Sequence, residues 1–287
     1  MNEVGPIDAV LIALAAVWGA VVGALLPRAV YRFSVELPPE EAEEGTGEDQ
    51  GGEAGESETA GQGREGGETE TADEGQDGWR SACPSGHPLP GWLGPARCRR
   101  CVGAAGVYGP GAARPAVVTA LLCAALALAT GTRPELAVWL LLAPVGVLLA
   151  SVDLRVRRLP DPLTLPLAGT ALALLGVAAL LPEHAGDWTT SLFAACALSA
   201  GYLVLHLLNP GGMGFGDVKL ALGAGAVLGW YGWATVMLGT FAGFLLGALY
   251  GGALLVAGRA GRRTAIPFGP FLIAGAYLGL LAGAYAA

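Results

Sequence analysis

Charged residues are scarce in this chain: 14% of its 287 residues are Asp, Glu, Lys or Arg, and aromatic residues make up only 7%. A water-facing domain carries about 25% charged residues, which excludes a soluble globular fold. The 53% hydrophobic content and the mean hydropathy of +0.54 point instead to a membrane protein. Acids are also missing from most of the sequence. Of the 24 Asp and Glu, 16 lie between Glu36 and Asp77; elsewhere 8 acids face 15 basic residues, so the formal net charge of −8 conceals a basic remainder. A basic segment ahead of the first apolar run is lacking as well. Glu3 stands there and Asp8 at the very start of the run, which predicts a retained span rather than a signal peptide.

What the chain does have is a series of apolar runs, at roughly 7–26, 116–131, 134–152, 163–182, 188–208, 218–232, 234–257 and 266–286. A helix needs roughly 20 such residues to cross a bilayer, and the second and sixth runs are short. The pattern predicts an all-α polytopic membrane protein with about eight transmembrane helices. Basic residues collect in cytoplasmic loops. An outside N-terminus puts 15 of the 16 Lys and Arg on the inner side and leaves only Arg133 outside, among the outer-loop acids Glu135, Glu183 and Asp187. Glycines recur at four-residue spacing: Gly19 and Gly23, then Gly239, Gly243, Gly247 and Gly251, then Gly275, Gly279 and Gly283. In lipid, this spacing lets helices approach closely.

The chain divides into a first span at 1–35, an acidic linker at 36–79, a small Cys/His-rich domain at 80–115 and a transmembrane core at 116–287. The linker is Glu, Gly, Thr and Gln with almost nothing apolar, which predicts disorder, although a like-charge block can also serve as a docking tail. The next domain reads CPSGHPLPGWLGPARCRRC and brings together Cys83, His87, Cys98 and Cys101. Three thiolates and an imidazole suit a tetrahedral structural zinc, while a disulfide is disfavoured in a reducing cytoplasm. A degenerate knuckle without metal is the alternative. Cys123 and Cys196 fall in apolar runs and read as core residues.

Carboxylates at membrane depth are costly and so are functional candidates. Asp153 ends the third run and Asp217 opens the sixth. Two complete spans separate them, so the chain crosses out and back and both side chains return to one face. Two carboxylates brought together cannot both ionise easily; one keeps a proton and acts as acid while the other activates water. The glycines around Asp217, Gly214 and Gly216 among them, remove bulk, permit unusual backbone angles and would let a substrate strand approach. On spacing alone each aspartate could instead be an interfacial loop charge. Asp161 precedes Pro162 and reads as a helix N-cap followed by a first-turn proline. Arg155, Arg157 and Arg158 suit lipid headgroups, Lys219 a snorkelling position, and neither His184 nor His206 has a catalytic partner pattern.

The segment GMGFGDVKL resembles the GxGD motif of the type IV prepilin peptidases, and DLRVRRLPDPLTLP resembles their other aspartate-bearing segment. IPFGPFLIAGA is similar to the family's closing helix, and CPSGH with CRRC to its cytoplasmic cysteine domain. The resemblance covers nearly the whole chain except residues 36–79. It implies an aspartyl endopeptidase with Asp153 and Asp217 as catalytic pair, preferring Asp153 to Asp161. It further implies residence in the bacterial cytoplasmic membrane and removal of the leader from prepilin-like precursors after a glycine. Many members also methylate the new N-terminus with S-adenosylmethionine. Two departures bear on that second activity: Gly86 stands where the first Cys pair of the family would end, and ARPAVVTALL lacks an acidic residue at the start of the second span. Membrane lipid is an expected partner and nucleic acid is not. Rival readings are a signal-peptide-peptidase-like protease, an ion-coupled transporter, which would need broken helices in both halves, and an inactive assembly scaffold.

Overall fold

The computed structural model describes residues 5–35, 79–101, 106–157, 159–209, 213–259 and 267–287. Residues 36–78 of the acidic linker and Arg158 lie outside the described residues, as do Gly211 and Gly212. Eight helices are found among those described: α1 (Pro6–Phe33), α2 (Ala113–Thr130), α3 (Glu135–Val156), α4 (Asp161–Ala178), α5 (Trp188–Leu208), α6 (Phe215–Gly229), α7 (Trp233–Val256) and α8 (Gly269–Ala286). Seven are long and apolar enough to cross a membrane. The exception is α6, whose 15 residues span about 22 Å.

Large apolar side chains point outward all round the bundle. Leu14 is 64% exposed, Phe193 65%, Phe241 66% and Leu180 84%, an outer surface suited to lipid and not to water. The short α6 is the inverse case. Ten of its residues, from Asp217 to Gly229, are buried, because α4, α5, α7 and α8 all pack around it. Small residues make that crowding possible: a Cβ added at Gly225 would lie 2.6 Å from the Ala194 carbonyl oxygen on α5. Similarly, Gly19 and Gly23 press α1 onto the backbone of α2 at Thr119 and Pro115, and Gly275 seats α8 on Gly239 and Gly243 of α7. Gly247 makes only ordinary contact with Phe268.

α1 runs beyond the apolar stretch as far as Phe33 because its last turns carry the Cys/His-rich domain. Pro27 lacks an N–H and opens the helix there. Gly94 takes up freed backbone groups, accepting from the Arg28 amide at 3.0 Å and donating to the Leu25 carbonyl at 2.7 Å. The Arg28 guanidinium donates to the carbonyls of Pro90 and Leu93, and Arg32 to that of Leu89 at 2.8 Å. Trp79, where the described chain resumes, meets Trp92 with ring centroids 5.5 Å apart.

Two acids at the far end of the bundle show how differently surface and interior treat a carboxylate. Asp187 caps α5, and the Thr189 hydroxyl and Thr190 amide, each at 2.6 Å, hold its pKa at about 2. Glu135, expected as an outer-loop charge, is instead the first residue of α3 and fully buried. It accepts from the Ala185 amide at 3.3 Å and the Tyr231 hydroxyl at 3.4 Å, so it pins the α4–α5 loop to the turn between α6 and α7.

Candidate active site

Asp153 lies one turn before the C-terminus of α3, where Arg157 in the left-handed region (φ 53°) closes the helix through its amide to the Asp153 carbonyl at 2.8 Å. Asp217 is the third residue of α6, behind the N-cap Gly214. The two side chains are 4% and 6% exposed. α3 and α6 deliver them to the same end of the bundle, where Asp217 lies within reach of the charge of Asp153. Leu159, on the segment between α3 and α4, lies beneath both: it touches Gly216 next to Asp217 and Gly269 beside Asp153.

Each carboxylate also meets a helix N-terminus. Asp217 sits in the first turn of α6, and Gly269, the first residue of α8, presents its amide to Asp153. Free amides and the positive end of the helix dipole favour an anion at both places. One oxygen of Asp153, Oδ2, is buried without a hydrogen-bond partner among the described residues. A buried orphan oxygen is costly.

Sequence reasoning missed several residues of this site. Gly269 keeps the space beside Asp153 clear: an added Cβ would lie 2.6 Å from Asp153 Oδ2, so that the carboxylate would have to shift. The signal available was the Gly–Pro pair opening the last span. Tyr202 of α5 is 2% exposed, its hydroxyl lacks a partner among the described residues, and it lies within electrostatic reach of Asp217. Its ring packs on Phe244 and Phe268 at 5.7 and 6.1 Å. His206, with the proton on Nδ1, donates to the Met213 carbonyl at 2.8 Å and holds the loop that leads into α6.

Other expectations change in detail. Asp161 does not cap α4: Pro160 occupies the N-cap and Asp161 is the first helical residue. Pro162 rules out a second amide there, and the Asp161 carboxylate pairs with Lys219 at 2.6 Å instead. Lys219 is thereby tied to α4 rather than left free to snorkel, and it also lies 4.9 Å above the Phe215 ring. Gly214 has φ −71° and Gly216 is helical, so neither uses glycine's conformational freedom. What they provide is space, 3.7 Å from a Gly214 Cβ position to Asp217 Oδ2 and 3.0 Å from a Gly216 Cβ position to Leu159. Arg155 and Arg157 are exposed at the same end.

In the cysteine domain, Cys83, His87, Cys98 and Cys101 offer ligand atoms all within 4.8 Å of one another. His87 Nδ1 stands 3.6, 3.8 and 3.4 Å from the sulfurs of Cys83, Cys98 and Cys101, and Cys83 and Cys101 are 3.9 Å apart. A tetrahedron with Zn–S of about 2.3 Å and Zn–N of about 2.0 Å has edges of roughly 3.5–3.8 Å, so the group could hold one metal ion. The Arg100 amide, opposed by burial and assisted by the Cys101 amide, holds the Cys98 thiol below its ordinary range, whereas Cys101, despite the Ser85 side chain, is pushed up by burial and by the Cys98 and Cys83 thiols.

The family model described as the type IV leader peptidase family matches residues 136–252, a stretch that contains both aspartates. The chain is 37% identical over 210 residues to the prepilin leader peptidase/N-methyltransferase of Aeromonas hydrophila, and 35% identical over 205 residues to that of Aeromonas salmonicida (strain A449). Each alignment covers 68% of this chain and 66% of the relative, so the chain spans just under two thirds of their length. The Bacillus subtilis (strain 168) protein of that name is 31% identical over 167 residues, 58% of this chain and 64% of the relative. No solved structure matches.

Proposed function

Since this chain belongs to the type IV leader peptidase family, we propose that it is an aspartyl endopeptidase of the bacterial cytoplasmic membrane. It removes the leader from prepilin-like precursors at the cytoplasmic face, with its N-terminus outside. One observation carries this reading: two nearly buried carboxylates on α3 and α6, in electrostatic contact, each set at a helix N-terminus.

Asp153 and Asp217 share one proton, as like charges in a closed site must, and titrate as a pair. The ionised member takes a proton from a water molecule, which attacks the scissile carbonyl. The protonated member donates to the carbonyl oxygen, and the departing amine then receives the proton taken from water. Gly214, exposed beside Asp217, leaves the approach to that carboxylate clear, and Gly216 lets the turn settle on Leu159. The substrate's main chain passes this gap while its apolar helix stays in the membrane. The proposal is tested by co-expressing the chain with a type IV pilin-like precursor and following leader removal by mass. Cleavage at a glycine is expected. An unchanged precursor would favour the transporter or scaffold reading.

Tyr202, whose buried hydroxyl has no partner among the described residues and lies within electrostatic reach of Asp217, would donate to the developing oxyanion. Tyr202→Phe is expected to lower the rate of cleavage by roughly 10²-fold while leaving thermal stability unchanged or raised, because an unsatisfied buried hydroxyl is removed. A residue needed only for packing would show the reverse.

Cys83, His87, Cys98 and Cys101 would hold a structural zinc. The purified full chain is expected to contain one zinc per molecule by emission spectrometry, and Cys98→Ser to lose it. A zinc-free parent with four titratable groups would contradict this. The apolar cavity between α2, α3 and α8 has no acid among its lining residues to hold the ammonium of S-adenosylmethionine, and no methyl-transfer step is assigned to this chain.

A further inference from the structure

A cavity of about 720 Å³ opens between α2, α3 and α8, with α4 and α6 at its back. Its size is that of a small-molecule site. Small residues create it: Ala143, Gly146 and Ala150 on α3 face Gly223 and Ala224 on α6, and a Cβ at Gly146 would meet nothing closer than Ile273 at 3.5 Å. The walls are apolar except at the end that carries the aspartates. There Arg114, in the first turn of α2, and Arg155, in the last turn of α3, line the mouth, and no acid among the described residues lines the cavity. Both arginines are exposed, and neither pairs with an acid among the described residues. No side chain caps the N-terminus of α2 beside them.

The length of the groove narrows the occupant. Lining residues run from Arg114 to Leu122 on α2, from Pro270 to Leu278 on α8 and from Arg155 to Leu142 on α3, or roughly 12 to 20 Å at 1.5 Å per residue. One leaflet of hydrocarbon is about 15 Å deep, half of the roughly 30 Å core. A spanning helix would need the full thickness, whereas the chains of one phospholipid need only a leaflet.

We propose that this groove is a binding site for one anionic phospholipid of the leaflet on the aspartate side, with its phosphate between Arg114 and Arg155 and its chains along Gly146 toward Tyr277. Ser151 and Leu154, which flank Asp153, line the groove, as do Leu220, one turn past Asp217, and Pro270, next to Gly269. The bound lipid thus backs the turns that carry both carboxylates.

The test uses the purified full chain, stripped of lipid in detergent and given phosphatidylglycerol or phosphatidylcholine, with retained lipid counted by native mass spectrometry. The parent is expected to retain one phosphatidylglycerol and to discriminate against phosphatidylcholine. The double variant Arg114→Gln/Arg155→Gln should bind phosphatidylglycerol about 25-fold more weakly, from the attraction of two cations near an anionic headgroup. Gly146→Leu, which fills the groove and keeps both arginines, should also lose the lipid. Arg259→Gln removes a charge elsewhere and should bind like the parent. Equal retention of the two lipids, undiminished binding by the double variant, or undiminished binding by Gly146→Leu would each overturn the proposal. Because binding is read without cleavage, the result stands apart from the peptidase reading.

Discussion

Gly269→Ala is expected to lower the turnover of leader cleavage by about 10²-fold while leaving KM and thermal stability close to those of the parent. The added methyl would lie 2.6 Å from Asp153 Oδ2, well inside contact distance, so one of the two must move. The carboxylate is the end of a flexible side chain, whereas the glycine is fixed by the start of α8 and by Pro270 behind it. The carboxylate yields, at little cost to the fold. A displacement near 1 Å at a reacting group is enough for a loss of that size. Steady-state kinetics with a melting curve separates this outcome from simple destabilisation, which would lower stability and active fraction together.

A larger effect is expected at the aspartates. Asp153→Asn and Asp217→Asn should each reduce cleavage on the order of 10⁴-fold, because one group must accept a proton and the other donate one, and neither can do both. The same substitutions should not unfold the protein. Each aspartate is buried, Asp217 in the field of Asp153 and Asp153 with its Oδ2 unpartnered among the described residues. Exchanging a buried charge for a neutral amide of the same shape relieves desolvation and repulsion. Loss of function with retained or increased stability is the pattern of a residue kept for chemistry.

The parts of this account that were legible in the sequence are those written in local pattern. Eight apolar runs gave eight helices because length and hydrophobicity suffice in a membrane, where backbone groups must be satisfied within the helix. Asp153, Asp217 and the Cys83–Cys101 cluster stood out because charge and thiols are rare in such a chain. The rest depended on helices distant in sequence. Gly269 is crowded by Asp153 from α3, more than a hundred residues earlier, and nothing in its own surroundings reports that. Tyr202 reads as one more residue of an apolar run until α5 is packed on α6. Glu135 reads as a loop charge because its partners, Ala185 and Tyr231, come from two later turns. The Lys219–Asp161 pair likewise joins two segments that sequence spacing treats separately.

The most direct measurement is a double-mutant cycle on the aspartates, with the full chain reconstituted in vesicles with a prepilin-like precursor and the released leader quantified by mass spectrometry. If the two carboxylates act as one unit, Asp153→Asn, Asp217→Asn and the double variant lose activity to the same floor, with all three folded. Cleavage by either single variant well above that floor, or losses that add in the double, would contradict a shared catalytic pair.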